Sequence, residues 1–278
     1  MPSKYWDEAR ALAEQRFRFD FPERTLSGKT VIVAGGSGGL GAATSILLAR
    51  EGARVIVGYR SNEARARELR HLIEVEYPDA IAPVLIEGDL AEPTVRTRYF
   101  DAVTVGAESE STPFAGAVVF PGDPARVPLA ELDRESMAAS LERNFIAPLL
   151  FARDAGEILE KGGGGGIVLV ASMQAVTPFP GSVNYAAPKA ALVHGSRILA
   201  QEWKNTRVNV VAPGATTAGM AASSVQSGKY DRYVDGGTIP RFGRAEDVAR
   251  AVRFLLEPDN YINGQTLVVD GGLTARRG

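Results

Sequence analysis

The sequence contains no cysteine and only two histidines, His71 and His194. The first absence removes disulfides, thiolate metal sites and cysteine nucleophiles, and it fits a reducing compartment. The second rules out a multi-histidine metal centre, because the two imidazoles stand more than a hundred positions apart. A Ser-His-Asp hydrolase would have to use one of them, and neither has a G-x-S-x-G elbow beside it. No metal is expected. Charge of one sign is also lacking: 31 Lys and Arg stand against 33 Asp and Glu, a net charge of −2, so nothing points to nucleic acid or to an anionic membrane. No segment approaches the ~20 apolar residues of a membrane span. Near the N-terminus Lys4, Asp7, Glu8 and Arg10 stand where a signal peptide needs an apolar run. A cytoplasmic protein is expected, with any acid/base chemistry left to Tyr, Lys or a carboxylate.

What is present is enough for one large α/β domain: 278 residues, 45% of them hydrophobic. Residues 1–26 stand apart. Trp6, Ala9, Ala13 and Phe17 recur at helical spacing, which predicts an amphipathic helix over residues 3–18, followed by a linker through Phe19, Phe21 and Pro22. From Lys29 onward short apolar, β-branched runs alternate with helical patterns. Strands are expected at Thr30–Ala34 and over residues 54–57, 81–87, 116–120, 167–171 and 207–211, with a seventh at Thr266–Val269. Helices are expected over 41–51, Glu63–Glu76, 92–103, 183–204 and Ala245–Leu256, with one or two more over 128–159. Seven strands with helical crossovers imply parallel pairing, hence a doubly wound Rossmann-type sheet covered on both faces. One domain is expected over residues 27–278, preceded by the helical extension. The glycine run 162–166 is read as a flexible surface loop between a helix and a strand.

The first strand leads into a glycine-rich turn and then a helix, which is where a backbone must approach a pyrophosphate closely and offer free N–H groups to it. Two registers fit: Gly36, Gly38 and Gly41 match G-x-G-x-x-G, and Gly35, Gly39 and Gly41 match G-x-x-x-G-x-G. In a strand–turn–helix setting either is a dinucleotide signal. At the end of the second strand, Tyr59, Arg60 and Ser61 offer no carboxylate for a ribose 2′-hydroxyl, while the Arg60 fork suits a 2′-phosphate. The cofactor expected is NADP(H).

Farther along, Tyr185 and Lys189 are four residues apart at the start of a helix and share one of its faces. A lysine cation near a phenol lowers the phenol's pKa from ~10 toward physiological pH, which suits proton transfer to a developing alkoxide. Ser172 follows the fifth strand, thirteen residues before Tyr185; Asn144 lies in the long helical region before it, and Pro213 and Gly214 follow the sixth strand. With the glycine turn and a closing segment running from Tyr261 through Asn263, Gly264 and Asp270 to Gly272, the chain resembles the short-chain dehydrogenase/reductase family over residues 27–272.

The resemblance implies roles. Tyr185 resembles the acid/base, and Lys189 its pKa-lowering partner, which also holds the nicotinamide ribose. Ser172 resembles the residue that orients the substrate carbonyl, and Asn144 the one that holds a proton-relay water. Gly35, Ser37, Gly39, Leu40 and Gly41 resemble the cofactor turn, Asp89 and Leu90 the adenine contact, Gly122 the cofactor floor, and Pro213 and Gly214 the turn beside the nicotinamide. The pattern departs from the family in four places. Ala34 replaces a threonine at the head of the glycine motif. Val119, Phe120 and Pro121 precede Gly122 where Asn-Asn-Ala is usual. Ala218 occupies a threonine position that Thr216 or Thr217 would have to cover. Pro188 sits inside the Tyr–Lys turn.

The expected function is NADPH-dependent reduction of a ketone, as in 3-oxoacyl-thioester reductases and sugar or polyketide ketoreductases. Two alternatives stay open: an alcohol dehydrogenase running oxidatively, and an NADP-binding sensor or scaffold without turnover. The family also implies a homo-oligomer, a tetramer or dimer, built on the helices around Asn144 and Val193. A variable lid is expected over residues 214–244, in which Met220, Val225, Tyr230 and Tyr233 either line an apolar site or pack the lid. No basic residue lies within 162–166 to dock an acyl carrier.

Overall fold

The computed structural model describes residues 24–109 and 111–276. The expected N-terminal helix, with Trp6, Ala9, Ala13 and Phe17, lies outside the described residues. Within them the chain alternates as expected: β1 Thr30–Ala34, α1 Gly39–Arg50, β2 Arg54–Tyr59, α2 Glu63–Glu76, β3 Val84–Glu87, α3 Pro93–Ser109 and β4 Phe114–Val119. Then come α4 Arg134–Leu141, a π-turn over Glu142–Ile146, α5 Ala147–Lys161, β5 Gly165–Val170, α6 Val183–Glu202 and β6 Thr206–Pro213. The series closes with α7 Ala222–Gln226, α8 Asp231–Asp235, α9 Ala245–Leu256, β7 Thr266–Val269 and α10 Leu273–Arg276.

All seven strands are parallel, in the order β3-β2-β1-β4-β5-β6-β7. Alternate side chains point to opposite faces, and both faces are covered, so β1 reads as a continuous apolar run. Ile32 and Ala34 join one core with Ile56, Phe151, Leu169 and Leu192, under α3, α5 and α6. Val31 and Val33 join the other with Leu48, Ile73, Val170 and Leu255, under α1, α2 and α9. A third cluster stands apart near the C-terminal ends of the strands: Met173, Ala215, Tyr230, Ile239 and Leu273. The strand order reverses between β1 and β4, and a crevice opens outside their carboxyl ends, where doubly wound sheets bind ligands. Among the described residues no helix is long and apolar enough to cross a membrane.

Local chemistry explains several boundaries. Asn62 caps α2 by accepting the Arg65 N–H at 3.0 Å, and Asp133 caps α4 in a reciprocal box with Ser136. The third strand is shorter than expected, starting after Pro83, whose nitrogen cannot donate to the ladder. The glycine run also differs from the expected surface loop. Gly165 and Gly166 belong to β5, pairing with Thr206 and Arg207. A Cβ on Gly165 would lie 2.6 Å from the Ala115 carbonyl oxygen, so this glycine permits close backbone approach rather than mobility.

Candidate active site

The glycine turn sits at the β1 end of the crevice. Gly35 has φ +72°, a conformation that L side chains rarely adopt, and a Cβ on it would press Phe120 at 3.2 Å. A Cβ on Gly41 would lie 2.2 Å from the Gly35 carbonyl oxygen, whereas one on Gly38 would meet nothing nearer than 3.5 Å. The geometry therefore requires glycine at the ends of the Gly35–Gly39–Gly41 register, and not at the middle of the other one. Gly38 is the N-cap of α1 and makes no side-chain cap, and no acid occupies the first turn, so the leading N–H groups face outward unpaired with side chains.

Beside this turn lies a cavity of about 180 Å³, lined by Gly35, Ser37, Tyr59, Arg60, Asp89, Leu90 and Gly122 from the expected set. Two cations that sequence reasoning missed, Arg65 and Arg143, line it as well. Arg65 stands on the first turn of α2, five residues after Arg60, and that spacing was the available signal. Arg60 and Arg65, with Arg143 already paired to Asp123 at 3.2 Å, stand against Asp89, the one acid among the described lining residues, and at an uncapped helix end they suit a polyanion. Gly122 completes the cradle: a Cβ there would lie 2.8 Å from Asn144 Oδ1 and 3.2 Å from Lys189 Nζ. These residues fit a bound nicotinamide dinucleotide.

Other expected contacts fall elsewhere. Ser61 is exposed and outside the cavity lining. Leu40 packs under Gly219 of the lid, and Gly39 and Gly41 form the backbone beneath the turn. Pro213 ends β6, and Gly214 lines the larger cavity described below. Thr216 is buried, with its hydroxyl donated to the Ala218 carbonyl at 2.9 Å, so it is committed within the lid.

Asn144 and Lys189 are brought to Gly122, and Ser172 and Tyr185 line the larger cavity described below. Asn144 is fully buried in the π-turn, a rare helical form often found at functional sites. Its Nδ2 donates to the Asp123 carbonyl at 3.0 Å and to Ser140 Oγ at 3.1 Å, while its Oδ1 accepts the Asp123 N–H at 3.1 Å. Both donors are occupied, so in this structure the amide braces the loop after β4. Lys189 is 1% exposed and donates from Nζ to the Val170 carbonyl at 3.0 Å. Burial lowers its pKa from 10.5 to about 8.

The Tyr185 and Ser172 hydroxyls are hydrogen-bonded to one another, and Ser172 Oγ also accepts the Gln174 N–H at 3.2 Å. Here the structure corrects the expected direction of the phenol's pKa. Burial pushes Tyr185 up to about 12, with Tyr230 adding to the rise and only the Ser172 bond opposing it. Desolvation penalises the phenolate, and the Lys189 ammonium is directed onto the Val170 carbonyl. In this state the phenol holds its proton throughout the neutral range.

Pro188 proves to be accommodated rather than tolerated. Its missing N–H would have bonded the Asn184 carbonyl one turn back. The Ser140 hydroxyl donates to that carbonyl instead, which links Asn144, Ser140 and the first turn of α6 in one chain of bonds.

The second cavity, of about 320 Å³, holds Ser172, Tyr185, Met173, Gln174 and Gly214 on the sheet side, with Met220 and Tyr230 from the lid. Val225 and Tyr233 pack against the third core cluster. Gly122 lines the first cavity and Tyr185 the second, so the chain offers one recess of a size for part of a dinucleotide and another for a small molecule.

A family profile described as enoyl-(acyl carrier protein) reductase matches residues 34–274. The chain is 32% identical to a "short-chain type dehydrogenase/reductase" of Picea abies, over 89% of this chain and 93% of that one. The chain belongs to the short-chain dehydrogenase/reductase family. It is also 32% identical to an "NADPH-dependent aldehyde reductase-like protein, chloroplastic" of Arabidopsis thaliana, covering 90% of this chain and 96% of the relative. A solved short-chain type dehydrogenase/reductase from Mycobacterium ulcerans superposes with a TM-score of 0.83 at 26% identity, covering 91% of this chain and 92% of its own. The short-chain dehydrogenase/reductase assignment makes this protein an NAD(P)(H)-dependent oxidoreductase.

Proposed function

We propose that the protein reduces a ketone or other carbonyl to an alcohol with NADPH, Tyr185 giving the proton. The observation that carries this reading is geometric: the Tyr185 and Ser172 hydroxyls stand together on the wall of the larger cavity. A group that keeps its proton at neutral pH acts as an acid toward a carbonyl oxygen, and a positioned acid of this kind contributes ~10²–10⁴-fold to rate. Ser172 is placed to donate to the same oxygen and so fix its position. As electrons reach the carbonyl, Tyr185 releases its proton to the oxygen, and the alcohol forms. Lys189, behind Gly122, would hold the cofactor's ribose and, on turning from the Val170 carbonyl, would stabilise the phenolate left behind. When bound, the nicotinamide supplies the hydride.

Preference for NADPH is supported by Arg60 and Arg65 lining the cofactor cavity, with Tyr59 rather than a carboxylate ending β2. The Arabidopsis relative, named as NADPH-dependent, points the same way. A homo-oligomer is supported by Met137 and Leu141 of α4 and Val183 and Ile198 of α6, which are large, apolar and exposed in the protomer.

Tyr185→Phe tests the mechanism, since it deletes one hydroxyl and keeps the ring. Turnover on a carbonyl panel should fall ~10²–10⁴-fold with NADPH affinity unchanged. Near-normal turnover in the folded variant would overturn the proposal.

A further inference from the structure

We infer that the substrate of this proposed reductase is an oxo acid, with its carbonyl at Tyr185 and Ser172 and a carboxylate held at the cavity mouth by Arg126 and Lys229. The inference rests on the reading of Tyr185 as proton donor and adds the class of molecule that it serves. Both cations line the same cavity of about 320 Å³ as Tyr185 and Ser172, and no acid among the described residues lines it. An adjoining cavity of about 180 Å³ shares Lys229 and Tyr230, adds Arg232, and has no acid among its described lining residues. In a chain with 33 acidic and 31 basic residues, three cations and no carboxylate among the described residues lining these two adjoining cavities is a local segregation of charge. The acids of the lid, Asp231 and Asp235, line neither cavity.

Neither cation is neutralised among the described residues. Arg126 bonds only uncharged acceptors: the Met220 carbonyl at 2.9 Å and the Ser223 and Ser224 hydroxyls at 3.0 and 3.2 Å. Lys229 lies 5.8 Å from the Tyr230 ring centroid and makes no ion pair. Asp123, the nearest acid along the Arg126 loop, is engaged by Arg143 at 3.2 Å. A guanidinium whose bonds go to hydroxyls can exchange them for the two oxygens of a carboxylate, a stronger and planar match.

The backbone is shaped to present Arg126. The residue before it, Ala125, has φ +45°, an unfavourable conformation for a residue with a Cβ. Three bonds hold it: its N–H donates to Asp123 Oδ1 at 2.8 Å, and its carbonyl accepts Asn184 Nδ2 at 3.3 Å and the Val127 N–H at 3.0 Å. Asn184 is the neighbour of Tyr185, so one short stretch of α6 fixes both the proton donor and the loop that carries the cation. Strain kept in place beside a reacting group is characteristic of functional sites.

The test compares oxo carboxylates of increasing chain length with their methyl esters, with NADPH, in the parent, Arg126→Gln, Arg126→Lys, Lys229→Gln and Lys229→Glu. Acids should exceed their esters by about tenfold or more in kcat/KM, an advantage that added salt reduces. Arg126→Gln and Lys229→Gln should each raise KM for acids by about tenfold, with kcat nearly unchanged and esters unaffected. Arg126→Lys should recover part of the loss, and Lys229→Glu should favour the esters. Thermal stabilisation of the NADPH-loaded protein by the same acids, but not by the esters, is the second readout. Esters equal to acids in both rate and stabilisation would overturn this inference and leave the reductase reading intact. Acids that stabilise the protein but are never reduced would support the anion site and overturn the reductase reading.

Discussion

Replacing Lys189 by Met should change how the protein's stability responds to alkali. The ammonium is buried, and its pKa falls from 10.5 to about 8 through desolvation. Between those values the unfolded chain carries a proton that the folded chain has released. Stability supplied through this group therefore rises with pH across that window, and the burial penalty is fully present below pH 8. Between pH 7 and pH 10 the folded parent should gain about 2.5 kcal/mol that the variant does not. Tyr185 does not confuse the comparison, because its raised pKa of about 12 leaves the phenol neutral there in the folded state and the residue is present in both proteins. Urea denaturation at fixed protomer concentration, at several pH values from 7 to 10, gives the difference between the two proteins directly. A difference that stays flat within about 0.5 kcal/mol would refute the claim that Lys189 is held at a burial cost. At neutral pH the two effects of the substitution oppose each other. Removing the charge relieves desolvation, while losing the bond to the Val170 carbonyl leaves an acceptor unpaired.

Arg60→Ala and Arg65→Ala should each weaken NADPH about tenfold while leaving NADH unchanged, measured by fluorescence titration; equal losses for both cofactors would place neither side chain at a 2′-phosphate. Ser140→Ala should destabilise the protein by about 1–3 kcal/mol, because it leaves the Asn184 carbonyl without its donor. Adding Pro188→Ala, which restores the N–H for that carbonyl, should recover part of the loss in a double-mutant cycle, and strict additivity would show that the two residues do not share the acceptor.

The sheet was legible because its strands are buried on both faces and so read as uninterrupted apolar runs. Glu63–Glu76, Ala245–Leu256 and Thr266–Val269 were expected at their observed bounds. Features set by contacts distant in sequence were not legible. The glycines of β5 looked like a loop, since their reason is an approach to Ala115 some fifty residues earlier. The π-turn at Asn144 interrupts a helical pattern that periodicity alone renders continuous. Tyr185 and Lys189 lie on one helix as expected, but the sign of the phenol's shift depends on burial, which four-residue spacing does not report. Arg126 carried no motif at all. Its place over the cavity follows from the backbone at Ala125, the loop after β4 and the lid 94 residues away, none of which is visible along the chain.

The third core cluster has a consequence for how this molecule breathes. Tyr230 and Ile239 are packed with Met173, Ala215 and Leu273, separately from the two cores that hold the sheet. The C-terminal segment fastens that unit: Asp270 accepts the Gly272 and Thr274 N–H groups at 2.8 Å, and Arg276 reaches the Thr238 carbonyl at 3.1 Å. A roof with its own small core can exchange its amide hydrogens through sub-global opening, at a free energy below that of the sheet. Opening of this kind would uncover the cavity that Tyr185 and Tyr230 line, while β1 and β4 keep the glycine turn and Gly122 in place. Amides of residues 230–239 should then exchange at a lower opening free energy than those of β1 and β4, so the roof of the larger cavity and the walls of the smaller one belong to different cooperative units.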